Sequence, residues 1–431
     1  MEKQINKPSL RFPEFNDNWD YKKLGEIAKF SKGKGISKSE ISEDGINECI
    51  RYGELYTRYG EVIQQVFSKT NFDINKSVVS EANDVIIPAS GETQIDIATA
   101  SCVMKSGVIL GGDLNIIKTN NNGTFLSYYL NNKKKLDIAN LAQGISVVHL
   151  YASQLALLNL NLPSLTEQQK IATFLTAVDE KLQALKKKKS LLEQYKKGVM
   201  QSLFLSEAEF SGLKDEQDVD DTNPKILKSS KSRFRQEDGN DFPAWEVKKL
   251  GEVCKIARSG GTPTSTNKSF YNGDIPFLSI SDMTSQGKYL THTSNHISKL
   301  GLENSSSWLV PANSLIYSMY ASVGFVAINK IPIATSQAVL NLILQDEFDL
   351  EFMYYILVDF QKNIAQFITT GTQGNLNAQS VKNFELKMPS LPEQIKIASF
   401  LSSIDEKINQ TQTQITQTET WKKGLLQKMF C

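Results

Sequence analysis

The stretch LPSLTEQQKIATFLTAVDEKL, residues 162–182, returns as MPSLPEQIKIASFLSSIDEKI at residues 388–408. The offset from Leu162 to Met388 is 226 residues, and other landmarks keep it. WDYKKLGEIAK from Trp19 falls on WEVKKLGEVCK from Trp245, and Leu114-Asn115 falls on Leu340-Asn341. Tyr128-Tyr129 falls on Tyr354-Tyr355, YKKG from Tyr195 on WKKG from Trp421, and Phe204 on Phe430. One unit is therefore written twice, each copy a globular part of roughly 150 residues followed by a helix. A duplicated chain can carry an approximate two-fold axis, as a homodimer does. Repetition alone also fits a duplicated domain with a purely structural role.

The quoted stretch opens an amphipathic helix, with Thr166 as the expected cap and Glu167 in the first turn. Apolar residues follow at Ile171, Leu175, Val178, Leu182, Leu185, Leu192, Val199 and Leu203, a heptad seam broken at Lys189 and Lys196. The second copy repeats the seam at Ile397, Leu401, Ile404, Ile408, Ile415, Leu425 and Met429, broken at Thr411, Thr418 and Lys422. A helix from Thr166 to Leu205 would be about 60 Å long. Neither helix can bury such a stripe alone, so an intramolecular antiparallel coiled coil is the simplest geometry. A stiff pair of this kind would hold two globular parts at a fixed separation, suited to two positions on a duplex whose matching faces recur about every 34–36 Å.

The globular parts read as mixed α/β. Short β-rich runs lie at residues 85–88, 107–110, 114–118, 275–280, 314–319, 325–328 and 338–344, punctuated by Gly, Asn and Asp. Short helices are expected at 125–135 and 350–367. The fold class is thus α+β, two mixed domains separated by two long helices, with a pseudo-two-fold internal repeat.

Composition narrows the function classes. The 431 residues exceed one hydrophobic core, and 40 % hydrophobic with 22 % charged residues is ordinary for a globular protein. The net charge of +1 argues against nonspecific coating of DNA, but not against basic groups gathered in clefts. Cys49, Cys102, Cys254 and Cys431 are scattered without ligand spacing, pointing to a reducing cytoplasm. The opening MEKQINKPSLRFPEF has no signal-peptide core, and no apolar run suits a membrane span. No phosphate-binding GxxxxGK[ST] and no methyltransferase motif is visible. Among three histidines, His149, His292 and His296, the last two are four apart without the HExxH glutamate. The Glu385-Leu386-Lys387 triplet has a nuclease-like pattern but no convincing acidic partner before it.

The halves diverge between their landmarks: SKGKGISKSE and IRYGELYTRYG in the first, RSGGTPTST and IPFLSISDM in the second. Glycines at the start of GGTPTST are read as permitting a tight turn. These loops carry base-reading chemistry. Lys32, Lys34, Lys38, Arg51, Arg58, Arg258 and Lys268 suit phosphates or guanine edges. Gln94, Thr262, Thr264, Ser265, Ser279, Ser281, Thr372 and Gln373 can pair with bases, and Tyr52, Tyr56, Tyr59 and Tyr320 can lie along sugar or wedge a groove. Against each stands the bland alternative, since Lys and Ser populate any surface and Tyr is often a packing residue.

Four motifs together resemble the specificity subunit of type I restriction-modification systems. They are the W…KLGE openings at Trp19 and Trp245, SGGTP at Ser259–Pro263, GDIPFLSISD at Gly273–Asp282, and PSLxEQxKIAxFLxxxDEK[IL] at Pro163 and Pro389. The first half has FSKGKGISKSE where SGGTP would stand. The resemblance implies a first target-recognition domain over 1–165, a central spacer helix over 166–206, and a polar linker over 207–241. A second target-recognition domain follows over 242–391 and a C-terminal spacer helix over 392–431. It further implies a non-catalytic bacterial chain that binds double-stranded DNA, each domain reading half of an asymmetric bipartite site. Two methyltransferase subunits and two motor-nuclease subunits would be its partners. S-adenosylmethionine, ATP and Mg²⁺ would belong to them, and this chain would bind no cofactor or metal. Alternatives left open are an orphan or decoy specificity subunit, a structural coiled-coil protein, and a stand-alone DNA enzyme.

Overall fold

The quoted stretch is where the two helices begin. A computed structural model describes residues 7–144, 147–204, 233–367 and 375–431. Its long helices are Leu165–Phe204 and Leu391–Lys428. Proline at 163 and 389 keeps the preceding backbone extended. Ser164, not the expected Thr166, stands before the first turn. Its hydroxyl accepts from the Glu167 N–H at 3.4 Å, and its carbonyl from the Gln168 N–H at 2.9 Å.

The chain divides into two units. The first comprises Met1–Lys187 with Thr411–Cys431, and the second Lys188–Gln410. The core of the first unit is a five-stranded sheet in the order Ala28–Lys32, Leu114–Thr119, Asp84–Pro88, Ser101–Val103, Val62–Ile63. The first four strands run antiparallel, and the short edge strand pairs parallel with Ser101–Val103. A three-stranded sheet of Ser68–Thr70, Asn47–Ile50 and Ile109–Leu110 flanks it, and an antiparallel ribbon joins Asp20–Lys23 to Asn159–Leu162. The second unit contains the same order: Cys254–Ser259, Val339–Leu344, Leu315–Ser318, Val326–Asn329, Tyr289–Leu290. Its ribbon pairs Glu246–Lys249 with Glu385–Met388, and its flanking sheet has four strands. Glu385 and Lys387 are exposed on that ribbon.

Most expected strands fall within a residue or two of these bounds. The run at 275–280 is the exception, because the strand is Tyr271–Leu278 and Ile280 opens a helix, Ile280–Gln286. The helix expected at 125–135 is Gly123–Asn132, followed by a separate Lys135–Leu141. That expected at 350–367 is Leu350–Phe360, then a 3₁₀ segment to Phe367.

Each unit packs its helix segments into the globular core. In the first, Ile171, Leu175 and Val178 join Trp19, Phe125, Tyr128 and Tyr129, together with Leu425, Met429 and Phe430. The two helices touch there through the Phe174–Trp421 edge contact at 5.9 Å and the ion pairs Lys186–Glu419 at 2.8 Å and Lys422–Asp179 at 2.6 Å. In the second, Ile397, Leu401 and Ile404 join Met200, Tyr355 and Phe384. Leu182, Leu185, Leu192 and Ile408 are half-buried and Ile415 is buried. Thr418, a polar break in the seam, is buried with its hydroxyl donated to the Gln414 carbonyl at 2.7 Å.

A buried carboxylate at the start of each helix ties the unit together. Glu167 accepts both arms of Arg11 at 2.7 Å, and the Trp19 indole N–H donates to it at 3.4 Å. Glu393 accepts from Arg233 at 3.1 and 2.7 Å and from the Trp245 indole at 3.1 Å. Phe12 and Phe234, one residue after each arginine, meet Phe174 and Phe400 edge-on. Arg11-Phe12 and Arg233-Phe234 are thus repeat partners that the offset of 226 does not align. Arg233 lies inside the expected linker. Residues 207–232 of that linker fall outside the described residues.

The tyrosine doublet also needs realignment. Asn122 and Asp349 cap the two helices through the N–H groups of Phe125 and Phe352, at 2.7 and 2.8 Å. The second half therefore has one more residue before its helix, and Tyr128 corresponds to Tyr355 rather than Tyr354. Their hydroxyls donate to Asp179 at 2.5 Å and Asp405 at 2.6 Å. Lys422 pairs with Asp179, and Lys196 with Asp405 at 2.6 Å. The lysines that interrupt the apolar seams at 196 and 422 thus close ion pairs.

Candidate nucleic-acid interface

In the first unit, the loop after Ala28–Lys32 runs against the Leu110–Gly112 turn. The Lys34 N–H donates to the Leu110 carbonyl and the Gly112 N–H to the Gly35 carbonyl, at 2.9 and 2.8 Å. A side chain on Gly33 would place its Cβ 1.9 Å from the Gly111 carbonyl oxygen, so only glycine fits. Lys32, Lys34 and Lys38 are exposed around this loop. The Gly111 N–H bonds to the Ile50 carbonyl at 2.9 Å, which brings Arg51 alongside.

Arg51, Tyr52, Tyr56 and Arg58 surround the one-turn helix Glu54–Thr57. Burial raises the Tyr56 hydroxyl above its ordinary pKa, with smaller upward pushes from Tyr52, Glu92 and Asp96. Gln94 is the exposed first residue of the helix Gln94–Ile97. The structure therefore brings Lys34, Arg51, Tyr52, Tyr56 and Arg58 onto loops joined through the Leu110–Gly112 turn. Tyr59 instead packs inward, its hydroxyl accepting from the Phe67 N–H at 3.1 Å, with burial pushing its pKa up to about 12. Phe67 stacks on the Tyr59 ring at 5.6 Å and is 53 % exposed, an apolar surface group that sequence reading passed over.

In the second unit, the SGGTP loop threads between Ser305–Trp308 and Thr335–Gln337. The Gly261 N–H donates to the Thr335 carbonyl at 3.0 Å, and Thr262 donates to the Gln337 side chain at 2.9 Å. Neither Gly260 nor Gly261 has the positive φ that the expected tight turn would use. They are required for close approach: a Cβ on Gly260 would lie 1.9 Å from the Thr335 oxygen, and one on Gly261 2.8 Å from Ser306. Gly33 plays the part of Gly260, so the first half has the packing of this loop without its sequence.

Arg258 lies over the Trp308 ring at 5.6 Å and reaches the Ser306 carbonyl at 3.5 Å. Thr264, Ser265 and Lys268 are exposed on the same excursion. The Tyr271 hydroxyl donates to the Pro263 carbonyl at 2.6 Å. It joins the loop to a cleft of about 480 Å³ lined by Tyr271, Asn272, Phe277, Asn295 and His296. Tyr320 is exposed at a turn where Ala321 and Ser322 have φ of 25° and 54°, strain that a non-glycine residue holds only where its surroundings enforce it. Ser279 caps the helix Ile280–Gln286 and its hydroxyl contacts both Asp282, at 2.6 Å, and Ser281, at 2.8 Å. These serines are engaged within the protein. Thr372 and Gln373 lie outside the described residues.

A buried acid underlies both loop systems, and the fixed offset does not reveal it. Glu54 is 4 % exposed and accepts from the Arg51 N–H at 2.9 Å and from the Ser68 hydroxyl. Asp282 is 3 % exposed and accepts from the Ser279 N–H at 3.0 Å and from the Ser294 N–H and hydroxyl at 3.1 and 2.6 Å. Burial alone would raise the Asp282 pKa, but the bonds from Ser279 and Ser294 prevail and hold it below the usual range. Around this shared anchor, Arg51 and Arg58 of the first unit correspond to Ser279 and Gln286 of the second. The readable signal was a carboxylate four residues after the end of a strand, in the first turn of a short helix.

Among the described residues, no group of three His, Cys, Asp or Glu side chains is placed to hold a metal ion. His292 contacts only Thr291 among the side-chain hydrogen bonds, at 3.2 Å. No helix among them is long and apolar enough to cross a membrane.

Two α/β units carry divergent polar loops on the same strand order. The model of the type I restriction modification DNA specificity domain matches residues 16–194 and again 244–419, and the chain belongs to that family. Over 278 residues it is 28 % identical to the type I restriction enzyme HindI specificity subunit of Haemophilus influenzae. That match covers 54 % of this chain and 60 % of the relative, so the chain spans less than two thirds of it. The MjaVIII specificity subunit of Methanocaldococcus jannaschii is 24 % identical over 429 residues, covering 97 % of this chain and 92 % of that one. The fold resembles the crystal structure of a type I restriction-modification system S subunit from M. genitalium, with a TM-score of 0.62, 18 % identity and 99 % of each chain covered.

Proposed function

We propose that this chain is the DNA-reading subunit of a type I restriction-modification complex. Each target-recognition domain reads one half of an asymmetric bipartite site. The long helices form an antiparallel coiled coil, related by a pseudo-two-fold axis, that spaces the heads. The chain carries no catalytic centre. Two methyltransferase subunits methylate adenine at the sites it selects, and two motor-nuclease subunits cut unmodified DNA using ATP.

One observation carries this reading: the same five-stranded sheet and the same buried acid recur, while the residues displayed around them differ, Arg51 and Arg58 against Ser279 and Gln286. A duplicated structural module would have no need of different polar loops on an unchanged frame. Specificity of this kind comes from groove contacts, each good bidentate pair being worth about 1–3 kcal/mol of discrimination. Flipping the target base is left to an enzyme pocket elsewhere.

Single-molecule methylome mapping of a host with and without this gene, its partner methyltransferase expressed in both, tests the proposal. Loss of one bipartite methyladenine motif on deletion is the expected result. An unchanged methylome would overturn it in favour of a decoy or structural role.

A further inference from the structure

We propose that Glu54 is a positioning residue that holds Arg51 and Arg58 as a preset pair for one half of the DNA site, an inference resting on the DNA-reading role above. Glu54 stands between the two guanidiniums, with Arg51 Nε and Arg58 Nη1 each 3.9 Å from its carboxylate. Neither contact is at hydrogen-bond distance, so the carboxylate steers the arginines without consuming their donor forks. Its own oxygens are occupied by the Arg51 backbone N–H and the Ser68 hydroxyl, which lock the carboxylate in place.

Arg51 Nε is buried and has no hydrogen-bond partner. A desolvated donor without an acceptor is unfavourable, and a ligand that brings an acceptor removes the penalty. Guanine O6 and N7 or a phosphate supply acceptors of the kind a guanidinium fork matches. One carboxylate between two arginines also lowers their joint charge. That restrains capture of phosphates at random sequence while leaving directional bonds available.

The second unit shows what the same frame does without the arginines. Asp282 sits where Glu54 does, but Gln286 bonds to the Asp282 and His292 carbonyls and accepts from the Thr291 N–H. Its amide is spent inside the protein. The preset pair is therefore a property of the first unit alone.

The test uses the full chain bound to its methyltransferase, with Glu54→Gln and, separately, Arg51→Ala/Arg58→Ala. Glutamine keeps the shape and can still accept from the Arg51 N–H. Methylome mapping should show one half of the motif degenerate in both variants, the same half each time, with the other half intact. On duplexes carrying the mapped motif or a scrambled first half, Glu54→Gln should lose discrimination about tenfold or more. Its binding to the scrambled duplex should become more salt-dependent, because the released arginines reach phosphates. A merely structural glutamate would not move that salt slope. A wild-type motif and wild-type discrimination in Glu54→Gln would overturn the proposal. So would degeneration of both halves with a lowered melting temperature, or an intact first half in the double-arginine variant. If deleting the wild-type gene leaves the methylome unchanged, the DNA-reading role fails instead, and the two failures are distinct.

Discussion

The two units share a frame and differ in what the frame displays. In the first, a buried glutamate stands between two arginines, with Arg51 Nε and Arg58 Nη1 each 3.9 Å from its carboxylate. In the second, a buried aspartate sits in a closed set of hydrogen bonds, and the basic contribution shifts to Arg258 on Trp308 beside the SGGTP loop. A sheet with fixed strand order tolerates this exchange because the variable residues lie in connections, where changes of length and type are thermodynamically cheap. Conserved packing and variable chemistry are thereby separated within each unit.

The sharpest way to break the comparison is at the helix starts. Arg11→Ala leaves Glu167 buried without its cation and should cost about 3–5 kcal/mol. Arg233→Ala should cost less, because that guanidinium is 31 % exposed against 11 % for Arg11. Denaturant unfolding of the two variants measures the difference, and equal costs would show that exposure does not set it. Tyr128→Phe and Tyr355→Phe each lose a hydrogen bond to a carboxylate and should cost about 1.5–3 kcal/mol. Unequal values would show that the realigned tyrosines are not equivalent. Gly33→Ala and Gly260→Ala both force a Cβ against a carbonyl and should cost about 1–3 kcal/mol. Each should disturb only its own half of the methylated motif, as read by methylome mapping. The smallest effect is on acid stability. The Asp282 pKa is held below the reference 3.8, so its contribution is fully present above that pH and is lost as pH falls through the folded value. Asp282→Asn should lower stability at neutral pH and converge with the wild type as pH falls below about 4, flattening the acid limb of the stability curve.

The sequence showed the duplication because its strongest signal, PSLxEQxKIAxFL, lies at a helix entrance where packing fixes every position. The same fixed offset misplaced Tyr355 by one residue and missed the Arg11–Arg233 correspondence by four, since one extra residue precedes Tyr355 and four extra residues separate Arg233 from Trp245. Insertions in connections barely alter stability, so rigid alignment fails there first. The loop residues were legible as polar types but not as states. Ser279 caps a helix, and Ser281 shares a hydrogen bond with the Ser279 hydroxyl. The glycines of SGGTP looked like turn residues and are close-approach residues. Glu54 and Asp282 escaped notice because their common role depends on burial, which two different acids in dissimilar segments do not advertise.

The division of the chain has a consequence for its synthesis. The first unit needs residues 411–431 to finish its core, with Phe430 packed on Phe125 at 5.7 Å and on Tyr129 at 5.6 Å. Leu10 also donates its N–H to the Lys428 carbonyl at 2.9 Å. A ribosome releases the whole of 188–410 before that segment emerges. The head translated first is thus the head completed second, and it must wait with Tyr129 and its neighbours uncovered. Vectorial synthesis here leaves a nascent chain exposed to chaperones for the length of an entire further unit.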